Sequence, residues 1–118
     1  MSAPLSNYLL THRKRMGFSQ AETAALLGFA AEDVVSRFER GVRKPSLETA
    51  LAYEAIFGIP AKDLFAGTYK KVEKATRGRA LLLAGKLGSA KPGGTVSRKL
   101  LTLELIASRA AGPESAKR

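Results

Sequence analysis

Two short amphipathic runs constrain this chain more than any other feature: Ser19-Gln20-Ala21-Glu22-Thr23-Ala24-Ala25-Leu26-Leu27-Gly28, and soon after it Val35-Ser36-Arg37-Phe38-Glu39-Arg40-Gly41. Ser19 is suited to accept the free amides at a helix start, and Gly28 supplies the positive backbone angle of a helix end or tight turn. A second helix must then begin within a few residues. Ala24, Leu27, Val35 and Phe38 fall where they pack the two helices together, whereas Gln20, Ser36 and Arg37 fall where they point outward. The pattern predicts a helix-turn-helix.

Breaks at Gly17, at Gly28, over 41–45 and over 58–60 divide the first 65 residues into five helices, and no strand pattern interrupts them. The first helix is expected over about 6–16, with Leu9, Met16 and the following Phe18 facing inward. Ser46 caps the fourth, on which Leu47, Ala50, Leu51, Ala55 and Phe57 form the apolar face. Phe57, Ile59, Leu64 and Phe65 read as core. A further helix spans about 69–87, with Tyr69, Val72, Thr76, Ala80, Leu83 and Leu87 at spacings of three and four, broadened by Leu81 and Leu82. Residues 88–94, rich in glycine with one proline, read as a flexible break. Thr95 or Ser97 then caps a last helix containing Val96, Leu100, Leu103, Ala107 and Ala110, with Leu101, Leu105 and Ile106 on its other sides. So apolar a helix needs a partner, either its neighbour or another subunit. Residues from about 111 read as a disordered tail.

The chain has 118 residues and a net charge of +10, very unevenly spread. Residues 1–68 hold 8 Lys and Arg against 7 Asp and Glu, a net +1; residues 69–118 hold 12 against 3, a net +9. The expected division is therefore a nearly neutral domain over 1–68 and a basic helical extension over 69–118. Such an extension either holds phosphates without reading sequence or is a solubilising surface. With no cysteine and one histidine, His12, disulfides, thiol catalysis and the usual metal sites are not expected. No carboxylate pair, nucleophile with base or phosphate loop is visible, so neither an enzyme nor a cofactor is expected. The longest apolar run, 80–85, is far short of the roughly 20 residues a membrane helix needs, and no signal segment is visible, so a cytoplasmic protein is expected.

Ser19-Gln20, Gly28, Ser36-Arg37-Phe38-Glu39-Arg40-Gly41, Pro45-Ser46 and the run from Gly58 to Phe65 closely resemble the lambda-repressor-like, or XRE-family, helix-turn-helix regulators over about 5–66. The resemblance implies an all-α, five-helix DNA-binding domain. It implies a dimer on double-stranded DNA, with the recognition helix of about 32–40 in the major groove. In that family the residue matching Gln20 opens the second helix and bonds a phosphate. The residue matching Arg37 faces outward, where an arginine grips guanine O6 and N7; Ser36 lies beside it and bonds a base edge or a phosphate. Arg40, Arg43 and Lys44 flank the turn that approaches the DNA backbone, with plain solvated charge as the alternative for each. Arg13 and Glu39 match an internal ion pair between the first and third helices.

Two departures stand out. Residues 29–34 place one residue more than usual between Gly28 and the third helix, which predicts a longer turn. Glu32 and Asp33 stand at the start of the recognition helix, where relatives often carry neutral polar residues; they either accept from cytosine N4 or favour the helix dipole. The reading that results is a sequence-specific transcriptional regulator. The alternative is an antitoxin-like or other protein-interaction module, using the leucine-rich helices within 69–110 to hold a protein partner.

Overall fold

The computed structural model describes residues 7–89 and 93–116, with side chains as far as residue 109. The protein is all-α: α1 (Leu9–Met16), α2 (Gln20–Leu27), α3 (Asp33–Glu39), α4 (Leu47–Phe57), α5 (Ala61–Leu64), α6 (Ala66–Gly88) and α7 (Gly94–Ala116). The chain forms two compact units, residues 1–69 and 70–118.

In the first unit the local signals act where the sequence puts them. Ser19 Oγ accepts from the Glu22 amide at 3.0 Å while Glu22 Oε1 accepts from the Ser19 amide at 2.8 Å, so two helix-start donors are satisfied reciprocally. Gly28 ends α2 at φ 89°, a conformation costly for any residue with a Cβ, and residues 28–32 carry the chain to α3. Ser46 caps α4 through the Thr49 amide at 3.2 Å. Asn7 and Tyr8 fasten the start of α1. Asn7 Oδ1 accepts from the Leu9 amide, Asn7 Nδ2 donates to the Phe38 carbonyl at 3.0 Å, and the Tyr8 amide donates to the Leu64 carbonyl at 2.8 Å. These ties leave α1 beginning at Leu9 rather than near Ser6, which itself lies outside the described residues.

The core gathers Leu9, Ala24, Val34, Val35, Phe38, Tyr53, Phe57 and Leu64, with Leu27, Phe29, Ile56, Ile59 and Phe65 packed against it. Tyr53 is at its centre. Its ring lies 5.6 Å from that of Phe57 and 6.2 Å from those of Phe38 and Phe65, the spacing at which aromatic pairs attract beyond their area. This corrects the face expected for α4. Ala50 and Phe57 do turn inward, but Leu47, Leu51 and Ala55 are exposed, because the stripe that meets the core runs through Ala50, Tyr53, Ile56 and Phe57 on the opposite side. Met16 is also exposed; the chain leaves α1 at Gly17, and the half-buried Phe18 covers that end instead.

One polar cluster is buried with this core. Both oxygens of Glu39 face the Arg13 guanidinium, Oε2 taking Nε and Oε1 taking Nη2 at 3.1 Å, while Arg13 Nη1 donates to the Phe18 carbonyl at 3.0 Å. The two side chains are only 10% and 5% exposed. The hydrogen bond to Glu39 raises the Arg13 pKa above its ordinary value, against the opposing effect of burial. The cation is thus fixed at every working pH. The Tyr53 hydroxyl has no such luck: it is buried without a hydrogen-bond partner among the described residues. Its burial, and then the nearby charge of Glu39, push its pKa well up.

The expected stripes of the last two helices differ: that of α6 is mostly exposed and that of α7 half-buried. On α6 Ala80 is buried and Leu87 half-buried, but Tyr69, Val72, Thr76 and Leu81 to Leu83 are exposed. On α7 Val96, Leu100, Leu103, Ile106 and Ala107 are half-buried, and Leu101 and Leu105 exposed. The helix begins at Gly94, so Thr95 and Ser97 lie inside its first turn rather than capping it. Its backbone stays helical to Ala116, past the point where a tail is expected; the Ala110 side chain, residues 90–92 of the break and residues 117–118 lie outside the described set.

Two stability measurements follow from the buried cluster. Glu39→Ala leaves the Arg13 charge buried and unpaired, and is expected to cost about 3–5 kcal/mol in denaturant unfolding; an unchanged midpoint refutes the ion pair as a structural element. Tyr53→Phe removes an unsatisfied hydroxyl and keeps the ring, so stability at neutral pH is expected to hold or rise by about 1 kcal/mol. Because the folded pKa of Tyr53 is raised, the native state keeps a proton that the unfolded chain loses above about pH 10, and stability falls as pH climbs through that range. The variant should lose less over the same interval.

Candidate nucleic-acid interface

Burying Val34, Val35 and Phe38 leaves one side of α3 for solvent, and that side carries Asp33, Arg37 and, just past the helix, Arg40. Ser36, half-buried between them, accepts from Arg40 Nε at 3.2 Å, so the two residues form one polar pair. Beyond the helix the amides of Val42 and Arg43 both return to the Arg37 carbonyl, at 3.0 and 3.3 Å, folding the turn back on the helix end. Arg43 lies with its guanidinium carbon 5.7 Å from the Phe38 ring centroid, near enough for a cation–π attraction that orients it. Lys44 is exposed next in line. Four cations, Arg37, Arg40, Arg43 and Lys44, are thereby gathered at the C-terminal end of α3, where they also oppose the negative end of the helix dipole.

Gln20 opens α2, as the spacing predicts, but its side chain is engaged. Its Nε2 donates to Glu39 Oε1 at 3.1 Å, so the carboxylate that holds Arg13 also holds the first residue of α2. The second N–H of that amide is the donor left to offer an anion at the positive end of the helix.

The acids at the start of α3 behave differently from one another. Glu32 stands at the N-cap position and makes no side-chain cap bond. Asp33, one residue on, places Oδ2 3.7 Å from Arg37 Nη2, with the two side chains 64% and 52% exposed. An exposed pair of this kind contributes only about 0.2–1 kcal/mol, whereas a bidentate arginine–guanine contact discriminates by about 1–3 kcal/mol. So weak a pair leaves the exposed Arg37 guanidinium available to other partners.

Reading by residue type passed over Val42, which is 66% exposed in the middle of the cationic turn.

In comparisons with known proteins, a helix-turn-helix family model matches residues 9–64, the span from the first residue of α1 to the last of α5. No curated protein and no solved structure matches the chain significantly. No helix among the described residues is long and apolar enough to cross a membrane.

Asp33→Asn removes a negative charge from the outer side of α3 and releases Arg37. Affinity for duplex DNA at low salt is expected to rise severalfold, with the gain shrinking as added salt screens the charges. Unchanged or weaker binding in a salt titration would show that Asp33 contributes a favourable contact of its own.

Proposed function

We propose that this chain, whose residues 9–64 are a DNA-binding helix-turn-helix domain of the XRE-like family, is a sequence-specific transcriptional regulator of double-stranded DNA. The observation that carries the reading is the outer side of α3. Asp33, Ser36 and Arg37 stand there on a helix whose other side is locked into the core by Val34, Val35 and Phe38. Side chains held on so fixed a base reach base edges in the major groove at a defined height, which is what direct readout requires.

The roles divide by chemistry. Arg37 is the principal base reader, through guanine O6 and N7. Ser36 stands beside it; Asp33, paired with Arg37, steers that arginine rather than reading a base, and Glu32, which makes no side-chain cap bond, is the acid suited to a cytosine amino group on the opposite strand. Arg40, Arg43 and Lys44 meet the DNA backbone along the turn, and Gln20 meets it at the start of α2. Glu39 touches no DNA; it positions Gln20 and α1 relative to α3. The functional form is a dimer, its two recognition helices entering successive major grooves about 34 Å apart, and its site an inverted repeat.

Selection of bound sequences from a random duplex pool, at one fixed salt concentration and with Arg37→Ala in parallel, tests this. The expected result is a two-fold symmetric motif for the full chain. In the variant, one base preference relaxes and binding weakens by about 1–3 kcal/mol. Binding that enriches no motif and merely fades as salt rises refutes base reading.

A further inference from the structure

We propose that the cleft between α6 and α7 is a docking groove for an acidic amphipathic helix of another protein, an inference that does not depend on the DNA reading. The cleft has a volume of about 300 Å³ and is walled by Leu83 and Leu87 of α6 and by Leu103, Thr102, Thr95, Arg98 and Lys99 of α7. Leucines, threonines and the two cations Arg98 and Lys99 share this lining. A space of this size takes a few aliphatic side chains inserted as a ridge.

Other apolar side chains of α6 and α7 are exposed. Leu82 is 73% exposed, and Leu81 and Leu101 are each 58% exposed. Leu105 and Val72 are also more than half exposed. Apolar side chains left exposed on both helices gain free energy when a partner removes them from water.

Charge identifies the occupant. Residues 70–118 carry 12 Lys and Arg against 3 Asp and Glu, a net +9. A second copy brings the same excess and is repelled. A DNA backbone satisfies the cations but offers nothing to fill a leucine-lined cleft. An anionic bilayer takes side chains from one plane, whereas Leu81, Leu82 and Leu83 are set about 100° apart in succession around α6 and the cleft is concave. What satisfies both the leucines and the cations of this lining is a helical ridge of leucine or isoleucine at i, i+3, i+4 and i+7, flanked by Glu or Asp.

Three labelled synthetic peptides of about 18 residues, five helical turns, test the proposal by fluorescence anisotropy against the full chain. One carries the leucine ridge with glutamate flanks, one the same ridge with lysine flanks, and one the glutamates with serine in place of leucine. The first is expected to bind at least tenfold more tightly than either of the others. Leu103→Glu and, separately, Leu83→Glu should each abolish that preference while the helix content of the same preparations by circular dichroism is unchanged, which shows that α6 and α7 remain folded. The double variant R98E/K99E should favour the lysine-flanked peptide. Equal binding of the glutamate and lysine ridges overturns the proposal, and so does equal binding of the leucine and serine peptides, which reduces the surface to an ion exchanger. Co-sedimentation with phosphatidylglycerol vesicles that Leu103→Glu eliminates overturns it in favour of a lipid surface. A dimer mass that falls to a monomer in Leu103→Glu overturns it in favour of a second copy.

Discussion

The carboxylate of Glu39 is the point on which the first unit depends. It sits at the C-terminal end of α3, is nearly buried, and accepts from Arg13 of α1 and from Gln20 of α2, so three helices meet at one pair of oxygens. An unpaired charge in such a place is far more costly than a lost surface contact, and the cluster is therefore satisfied all together or not at all. That gives the packing a direction as well as a strength. Leucine and phenylalanine contacts tolerate small rotations of a helix; a bidentate arginine–carboxylate pair does not. The orientation of α3, and with it the side that Arg37 and Ser36 present, is set by a buried polar triad as much as by the aromatic packing around Tyr53.

How much of this was legible in the sequence follows from how local each interaction is. The capping box needs only Ser19 and Glu22, three residues apart, and the end of α2 needs only Gly28; both can be read by eye. The Arg13–Glu39 pair spans 26 residues and was reachable only through family resemblance, while the Gln20–Glu39 bond was not foreseen at all. Nothing in residue type says that a glutamine at a helix start spends a donor on a carboxylate from the third helix.

The helices α4 and α6 show two different limits of reading apolar spacing. Apolar spacing favours Leu47 and Leu51 for the inner face of α4 and says nothing of Tyr53. Yet the ring of Tyr53 offers more contact area, and three phenylalanines were available to receive it. On α6 the apolar stripe was read correctly as a stripe, but a stripe states only that a helix has something to bury, not that its own chain supplies the cover. The acids of α3 show the limit for polar residues: Asp33 meets Arg37 four residues on, as helix geometry favours, whereas Glu32 makes no side-chain cap bond.

The fastening of α1 has a consequence for how the first unit comes into being. The Asn7 side chain is completed by the Phe38 carbonyl, and the Tyr8 amide by the carbonyl of Leu64. The first described residues are therefore stitched to some of the last in the unit, across a separation of 56 residues. On a ribosome the N-terminal helix emerges early and waits, its start unfastened, until α5 has been synthesised. Closure is then a long-range event rather than helix-by-helix growth, and loop entropy of that length must be overcome before the final stitch is made.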